Sequence, residues 1–269
     1  MRSYLGAAVL QLSLIFQAYA WGPEGHSIVA EIAQRHLTAK AEAQVRQILK
    51  TNASLASISS WADDYRALHI NTARWHFVDI PITAQDYDAA RDCASLPQGD
   101  CVINEIARNL HDLKDASSSD AQRLDALRFL VHFVGDVNQP LHTVGELQGY
   151  NGMTVCYFSS PARNDCSPTN LHVVWDTGLI RSIFYDWGAY VEYLENDWLP
   201  RQDVSALSAG DPVAWALEAH AAARDVATKD VNINDHLAQM YLSAARPTLD
   251  RQLAAAGLRL ARMLNDNLD

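Results

Sequence analysis

The chain has 269 residues, of which 49% are hydrophobic and 20% charged, and its formal net charge is −11 at pH 7. This is the composition of a globular protein, and the length allows one large domain or two small ones. An acidic chain is poorly suited to gripping phosphate backbones through a broad basic surface, so positive charge at any phosphate site would have to come from bound metal.

The first twenty residues have the pattern of a secretory signal peptide. Arg2 gives a short positive start, Leu5 to Phe16 form an apolar core, and Ala18-Tyr19-Ala20 is a small-x-small cleavage site. A membrane anchor is the alternative, but the apolar run is too short to span a bilayer. We therefore expect a secreted or periplasmic protein that begins at Trp21. No linker, repeat or low-complexity tract interrupts residues 21–269, which predicts a single domain.

The remaining chain has a helical hydrophobic pattern almost throughout, which predicts an all-α architecture. The helix expected over 23–37 has Pro23 in its first turn and apolar residues along one side. Further helices are expected at 39–50, 54–67, 101–117, 121–136, 170–182, 185–197, 211–230 and 235–266. Only two short segments, 73–80 and 153–158, have a strand-like pattern, and the stretches 82–100 and 143–169 are irregular.

Four cysteines, an even number in an exported chain, suggest disulfides. Three pairings are possible, and we favour Cys93–Cys101 with Cys156–Cys166 because each pair closes a short loop. A thiolate zinc site is the competing interpretation. It is weaker because the chain has no C-x2-C pair.

The segment 130–142 places ionisable residues on an apolar helix. His132 and Asp136 are four residues apart, so on a helix they project from one face. The helix must end near Pro140, because proline disrupts the preceding turn. His142 then stands just beyond the helix end and can turn back toward the same region.

The segment 170–178 repeats this arrangement with His172 and Asp176. Burying such pairs as bare polar groups is costly, and coordination of zinc by neutral imidazole and carboxylate removes the cost. Either pair alone is equally compatible with a structural His–Asp hydrogen bond between helices. Two pairs together favour metal.

Three further residues join this set. Asp63 follows an aromatic residue on a predicted helix, in Trp-Ala-Asp, and His76 stands among apolar neighbours on a stretch expected to be extended. His26 lies one helical turn from Trp21, the predicted N-terminus.

Taken together, the motifs resemble those of the S1/P1 nuclease family of zinc-dependent enzymes. They are Trp-x4-His, Trp-Ala-Asp, Trp-His-Phe-x-Asp, His-x3-Asp-x5-His and Asn-Leu-His-x2-Trp-Asp, and they run in the family's order from Trp21 to Asp176. The resemblance implies a mostly helical fold that binds three zinc ions in a cleft.

Carried over motif by motif, the resemblance implies nine metal ligands. The first zinc would be held by Asp63, His76, His132 and Asp136, the second by His142, His172 and Asp176, and the third by His26, a bridging oxygen of Asp136, and the α-amine and carbonyl of Trp21. Three carboxylates would face about six positive charges from three Zn²⁺ ions. The site would be positive inside an acidic protein, and its amine ligand would exist only after signal cleavage.

The resemblance also implies roles in catalysis and recognition. A water bridging two zincs would attack phosphorus, with Asp63 orienting it and Arg66 meeting the phosphate in the transition state. Phe77 would stack on a base, with Asp79 and Asn151 hydrogen-bonding in the same pocket. The alternatives are a solvated helix residue for Arg66 and a core aromatic for Phe77.

The implied function is hydrolysis of RNA and single-stranded DNA, with duplex DNA a further candidate, to 5′-phosphorylated products. Activity on nucleotides with a 3′-phosphate is also implied. The protein is expected to be a monomer that does not associate with a membrane. The main alternative is a zinc-dependent phospholipase C of the same fold, against which the short Trp21–His26 spacing and the final Asp176 argue. A zinc-storage or structural protein is disfavoured because the ligand pattern leaves positions open for water and substrate.

Overall fold

The computed structural model describes residues 21–93, 100–145, 153–157 and 167–268. These residues form one mostly helical domain, which confirms the all-α prediction. The first half contains α1 (Pro23–Arg35), α2 (Ala39–Leu49), α3 (Leu55–Ile58), α4 (Trp61–Leu68), a 3₁₀ helix (Ile70–His76), α5 (Ala89–Asp92), α6 (Val102–Lys114), α7 (Asp120–Asp136) and a second 3₁₀ helix (Pro140–Thr143).

The second half begins with strands β1 (Thr154–Tyr157) and β2 (Ser167–Asn170). It continues with α8 (Leu171–Val173), a π-helical turn (Val174–Gly178), α9 (Leu179–Ile183), α10 (Trp187–Tyr193), a π-helical turn (Leu194–Trp198), a 3₁₀ turn (Leu199–Arg201), α11 (Val204–Ser208), α12 (Pro212–Ala222), a π-helical turn (Ala223–Ala227), β3 (His236–Leu237) and α13 (Gln239–Leu268). β1 pairs antiparallel with β2 and parallel with β3.

Helix α7 lies at the centre of the domain. A capping box of Ser119 and Gln122 fixes its start, and all but one of the residues from Ala126 to Asp136 are buried. The helix packs against α1, α4, α6 and α13. Because other helices surround α7, its final turns are buried on every side. Any polar group in these turns therefore needs a partner inside the protein.

Two predicted elements differ from the structure. The helix expected over 54–67 is divided into α3 and α4 at Ser59 and Ser60, where the Ser59 hydroxyl donates back to the Ala56 carbonyl at 2.9 Å. The strand-like pattern over 73–80 was wrong for its first half, because His76 ends a 3₁₀ helix. Only the continuation to Ile80 is extended, where a single bridge to Val144 replaces a strand partner.

β2 and β3 were not predicted. They are too short to show a periodic pattern, and each borders a helix whose start was placed slightly early. The segment 153–158 was predicted correctly, since β1 occupies Thr154–Tyr157.

The disulfide predicted between Cys93 and Cys101 is present, with the Cα atoms 5.2 Å apart. Cys156 is also disulfide-bonded. Its predicted partner Cys166 lies outside the described residues, so that pairing stays a prediction. Among the described residues, no helix has the length and apolar character needed to cross a bilayer.

Candidate metal centre

Buried histidines and aspartates from six elements meet at the C-terminal end of α7. They come from α1, α4, the first 3₁₀ helix, α7, the second 3₁₀ helix and the helix that begins at α8. All are at most 6% exposed, and the full set is His26, Asp63, His76, His132, Asp136, His142, His172 and Asp176.

The first group surrounds one carboxylate oxygen of Asp136. Asp136 Oδ2 lies 3.0 Å from His76 Nδ1 and 3.2 Å from His132 Nε2. The two imidazole nitrogens are themselves 3.1 Å apart. Asp63 Oδ1 completes the group at 3.9 Å from His132 Nε2 and 4.0 Å from His76 Nδ1.

The other oxygen of Asp136 faces a different histidine. Asp136 Oδ1 lies 3.4 Å from His26 Nε2 and has no hydrogen-bond partner. Both ring nitrogens of His26 are buried without a hydrogen-bond partner as well. One carboxylate therefore stands between two sets of nitrogen atoms, which is the arrangement of a bridging ligand.

The third group is formed by His142, His172 and Asp176. The Nε2 atoms of the two histidines are 3.0 Å apart, and Asp176 Oδ2 lies 3.3 Å from His172 Nε2. Asp176 stands in the π-helical turn Val174–Gly178. Such turns inside helices are frequent at functional sites.

Backbone carbonyls set the orientation of two of these rings. His132 Nδ1 lies 2.7 Å from the Ser59 carbonyl, and His142 Nδ1 lies 2.9 Å from the His76 carbonyl. Each Nδ1 therefore donates to a carbonyl, and this contact turns each Nε2 toward the centre. The break between α3 and α4 supplies the Ser59 carbonyl, a role that no sequence pattern reveals.

Gln139 is a further contributor that the sequence did not single out. Its amide donates to Asp176 Oδ1 at 2.6 Å, and the side chain is fully buried. It fixes one oxygen of Asp176 and leaves Oδ2 toward the third group. Its position three residues after Asp136, on the same helical end, was the available signal.

Burial sets the protonation of the histidines. Burial lowers the pKa of His26, His76 and His142 well below the ordinary value, with the neighbouring histidines adding to the effect. These rings are neutral at pH 7, the form that binds metal. For His132, burial lowers the pKa, but Asp136 and Asp63 outweigh it and raise the pKa to about 9.

The carboxyl groups show the opposite effect. Burial raises the pKa of Asp136 to about 6, against the attraction of His132. Burial also raises the pKa of Asp176 well above its ordinary value, partly offset by the Gln139 hydrogen bond. In both carboxyl groups, the effect of burial on the pKa outweighs the attraction of nearby positive charge.

These residues fit metal ions. Imidazole nitrogens that face each other at 3.0–3.1 Å repel unless a proton or a cation lies between them, and both such pairs occur here. In each of three groups, the donor atoms lie within 4.8 Å of one another. The groups are His26/His132/Asp136, Asp63/His76/His132 and His142/His172/Asp176. Nitrogen and carboxylate donors in this mixture suit zinc.

Trp21 packs directly against the centre. Its side chain is fully buried, and its indole N–H donates to the Gly135 carbonyl at 3.0 Å, next to Asp136. The following residue, Gly22, donates its backbone N–H to the Asp176 carbonyl at 2.9 Å. The start of the described chain is thus hydrogen-bonded to α7 and to the π-helical turn that carries Asp176.

Of the residues predicted for catalysis and recognition, Asp63 belongs to the centre, and Arg66, Phe77 and Asp79 lie next to its ligands in space or along the chain. Arg66 Nη2 is 3.2 Å from Asp63 Oδ1. Phe77 and Asp79 follow His76 directly and are half-buried. Asn151, the third residue predicted to bind substrate, lies outside the described residues.

Comparison with known proteins agrees with this geometry. The S1/P1 nuclease family model matches residues 21–269. Nuclease P1 of Penicillium citrinum is 31% identical, over 91% of this chain and 97% of its own length. Endonuclease 4 of Arabidopsis thaliana is 32% identical, over 98% and 95%. Nuclease S1 of Aspergillus oryzae is 30% identical, over 97% and 96%.

The family match covers every residue of the buried centre, and the relatives align over nearly their whole lengths. The chain therefore belongs to the S1/P1 nuclease family, and its class of activity is that of a nuclease.

Proposed function

We propose that this nuclease is a zinc-dependent phosphodiesterase that hydrolyses RNA and single-stranded DNA to 5′-phosphorylated products and also removes 3′-phosphates from nucleotides. The observation that carries the proposal is the buried centre, where Asp136 Oδ1, Asp176 Oδ2 and both ring nitrogens of His26 have no hydrogen-bond partner. Buried polar atoms of this kind need a cation to offset their desolvation.

Three zinc positions account for the donor atoms. The first ion would be held by Asp63, His76, His132 and Asp136 Oδ2, the second by His142, His172 and Asp176, and the third by His26, Asp136 Oδ1, and the α-amine and carbonyl of Trp21. The separate environments of the two Asp136 oxygens support this division. The ions would lower the pKa of a bound water molecule and neutralise charge on the phosphate oxygens.

The protein's own residues orient the reacting groups. Asp63 Oδ1 belongs to the first group, and the second oxygen of this carboxylate can orient the attacking water. Arg66, 12% exposed, lies 3.2 Å from Asp63 Oδ1. Its guanidinium binds the phosphate and stabilises the charge that develops in the transition state.

The remaining recognition comes from one extended segment beside His76. Phe77 would stack on a base, and Asp79 would accept a hydrogen bond from the edge of that base. The part proposed for Asn151 in the same recognition rests on the family resemblance alone, because Asn151 lies outside the described residues. Stacking accepts every base, so we expect broad sequence tolerance. The net charge of −11 disfavours binding of a duplex through a broad basic surface, which favours single strands.

Signal cleavage belongs to the same proposal. Cleavage after Ala20 makes Trp21 the first residue of a secreted or periplasmic monomer and creates the amine ligand. The start of the family match at residue 21 supports this site. The contacts of Trp21 with Gly135 and of Gly22 with Asp176 support a place for the new amine near the third zinc.

The test uses protein that begins at Trp21 beside the same protein with one extra N-terminal residue. We expect about three zinc ions and cleavage of RNA and single-stranded DNA in the first, and loss of both metal and rate in the second. Zinc-loaded protein that cleaves phosphatidylcholine but no nucleic acid would establish the phospholipase alternative. Faster cleavage of duplex than of single-stranded DNA would refute the single-strand preference.

A matched pair of variants tests Asp63. Asp63→Asn removes a buried carboxylate of the first group, whereas Asp64→Asn changes the adjacent, exposed carboxylate on the same helix. We expect the first variant to lose zinc and at least about a hundredfold in kcat, and the second to resemble the unmodified enzyme. Equal activity of the two variants would exclude Asp63 from the centre.

A further inference from the structure

The backbone that carries Phe77 and Asp79 is fixed from both sides. The Val78 N–H donates to the His142 carbonyl at 2.9 Å, and the Val102 N–H donates to the Phe77 carbonyl at 3.1 Å. Val102 begins α6 directly after the Cys93–Cys101 disulfide. The segment is therefore rigid, and only the side-chain torsions of Phe77 and Asp79 remain to be set.

The two carboxylate oxygens of Asp79 differ in their surroundings. Oδ2 accepts a hydrogen bond from Arg74 Nη2 at 3.0 Å. Oδ1 is buried without a hydrogen-bond partner. It lies beside Gly145, where an added Cβ would come within 3.8 Å of it. One oxygen is thus held by Arg74, and the other is enclosed beside Gly145.

The same guanidinium contacts the neighbouring aromatic residue. Arg74 Cζ lies 5.6 Å from the centroid of the Phe77 ring, within the range of a cation–π contact. The side chain of Arg74 is 27% exposed and that of Asp79 is 20% exposed, so a ligand can reach part of each side chain, but not the buried Oδ1. One cation therefore holds the carboxylate and the ring at the same time.

We propose that Arg74 is a positioning residue for the nucleobase. By binding Asp79 Oδ2 and packing on Phe77, it holds the carboxylate and the ring in one orientation, in which a base stacks on Phe77 and gives one N–H donor on its edge to the carboxylate. Every natural base offers such a donor, which is consistent with broad sequence tolerance. The inference rests on the proposed recognition roles of Phe77 and Asp79.

The test compares a dinucleotide with analogues in which one of the two nucleosides is replaced by a tetrahydrofuran unit that carries no base. Arg74→Met removes the charge and keeps most of the side-chain volume, and Arg74→Lys keeps the charge without the planar pairing. Arg224→Met is the matched control, since Arg224 pairs with Asp225 at 2.7 Å and is 30% exposed. Zinc content is measured on each protein.

We expect Arg74→Met to lower kcat/KM on the dinucleotide about tenfold through KM, the loss of one charge-assisted pair. The loss on the baseless analogue should be several-fold smaller, Arg74→Lys should recover part of it, and Arg224→Met should behave as the unmodified enzyme. Equal losses on both substrates, or no loss on either, would overturn the proposal.

A second measurement covers the case in which Arg74→Met fails to fold or to retain zinc. Asp79→Asn and Arg74→Lys should then each show the base-dependent loss, and the double variant Arg74→Lys/Asp79→Asn should lose no more than the larger single loss, because both changes act on one contact. Additive losses would refute the coupling. An unmodified enzyme that cleaves no nucleic acid would instead refute the proposed function, which separates the two failures.

Discussion

Removal of metal should destabilise the protein strongly. The eight side chains at the centre are at most 6% exposed, and two pairs of imidazole nitrogens face each other at 3.0 and 3.1 Å. Without cations, each buried carboxylate oxygen that has no partner costs about 1–3 kcal/mol. Asp136 Oδ1 and Asp176 Oδ2 are both in this state.

The magnitude follows from linkage. An ion present at about a thousand times its dissociation constant stabilises the folded state by about 4 kcal/mol. For a domain of this length, about 1 kcal/mol shifts Tm by about 2–4 °C. Loss of a single ion should therefore lower Tm by about 8–16 °C, and loss of three should approach the whole stability of an ordinary domain.

The assay is calorimetry of the zinc-loaded protein and of the same protein after chelation and dialysis, with metal content measured on both samples. The disulfides stay oxidised throughout, so they do not contribute to the difference. An unchanged Tm in protein shown to be free of metal would refute the reasoning, because it would mean that the buried centre is satisfied without cations.

Three further changes address the scaffold. Arg259→Met should lower the free energy of unfolding in urea by about 1–3 kcal/mol, because it leaves the fully buried Asn138 oxygen without its donor. The control Arg224→Met, at a 30% exposed side chain, should lower it by less than about 0.5 kcal/mol, and equal losses in the two variants would contradict this. Burial raises the pKa of Glu105 to about 7, so the stability that its protonation contributes is present below its unfolded pKa and is lost as pH rises through about 7. Glu105→Gln should therefore gain stability relative to the unmodified protein between about pH 5 and pH 8. A difference in unfolding free energy that stays constant over this pH range would refute the effect. Cys93→Ser opens a short loop in the unfolded chain and should lower the free energy of unfolding by about 2–3 kcal/mol in urea unfolding. An unchanged free energy of unfolding would contradict this loop-entropy argument.

The sequence by itself determined the helical class and the pairing of His132 with Asp136 and of His172 with Asp176. The reason is periodicity. Residues four apart on a helix share a face, and on an apolar helix that face is buried, so the spacing alone brings their atoms to 3.2 and 3.3 Å. The disulfide between Cys93 and Cys101 followed from its short loop for a similarly local reason.

Only the tertiary structure decided how the separate motifs share one centre. It placed His76 at the end of a 3₁₀ helix and turned the two oxygens of Asp136 toward different histidines. It also brought the Ser59 carbonyl to His132, over a separation of 73 residues. These contacts depend on how distant segments pack around α7, and packing directions leave no periodic trace in a sequence. The link from Arg74 to Asp79 and Phe77 was likewise decided by side-chain torsions within a rigid segment, which spacing alone does not specify.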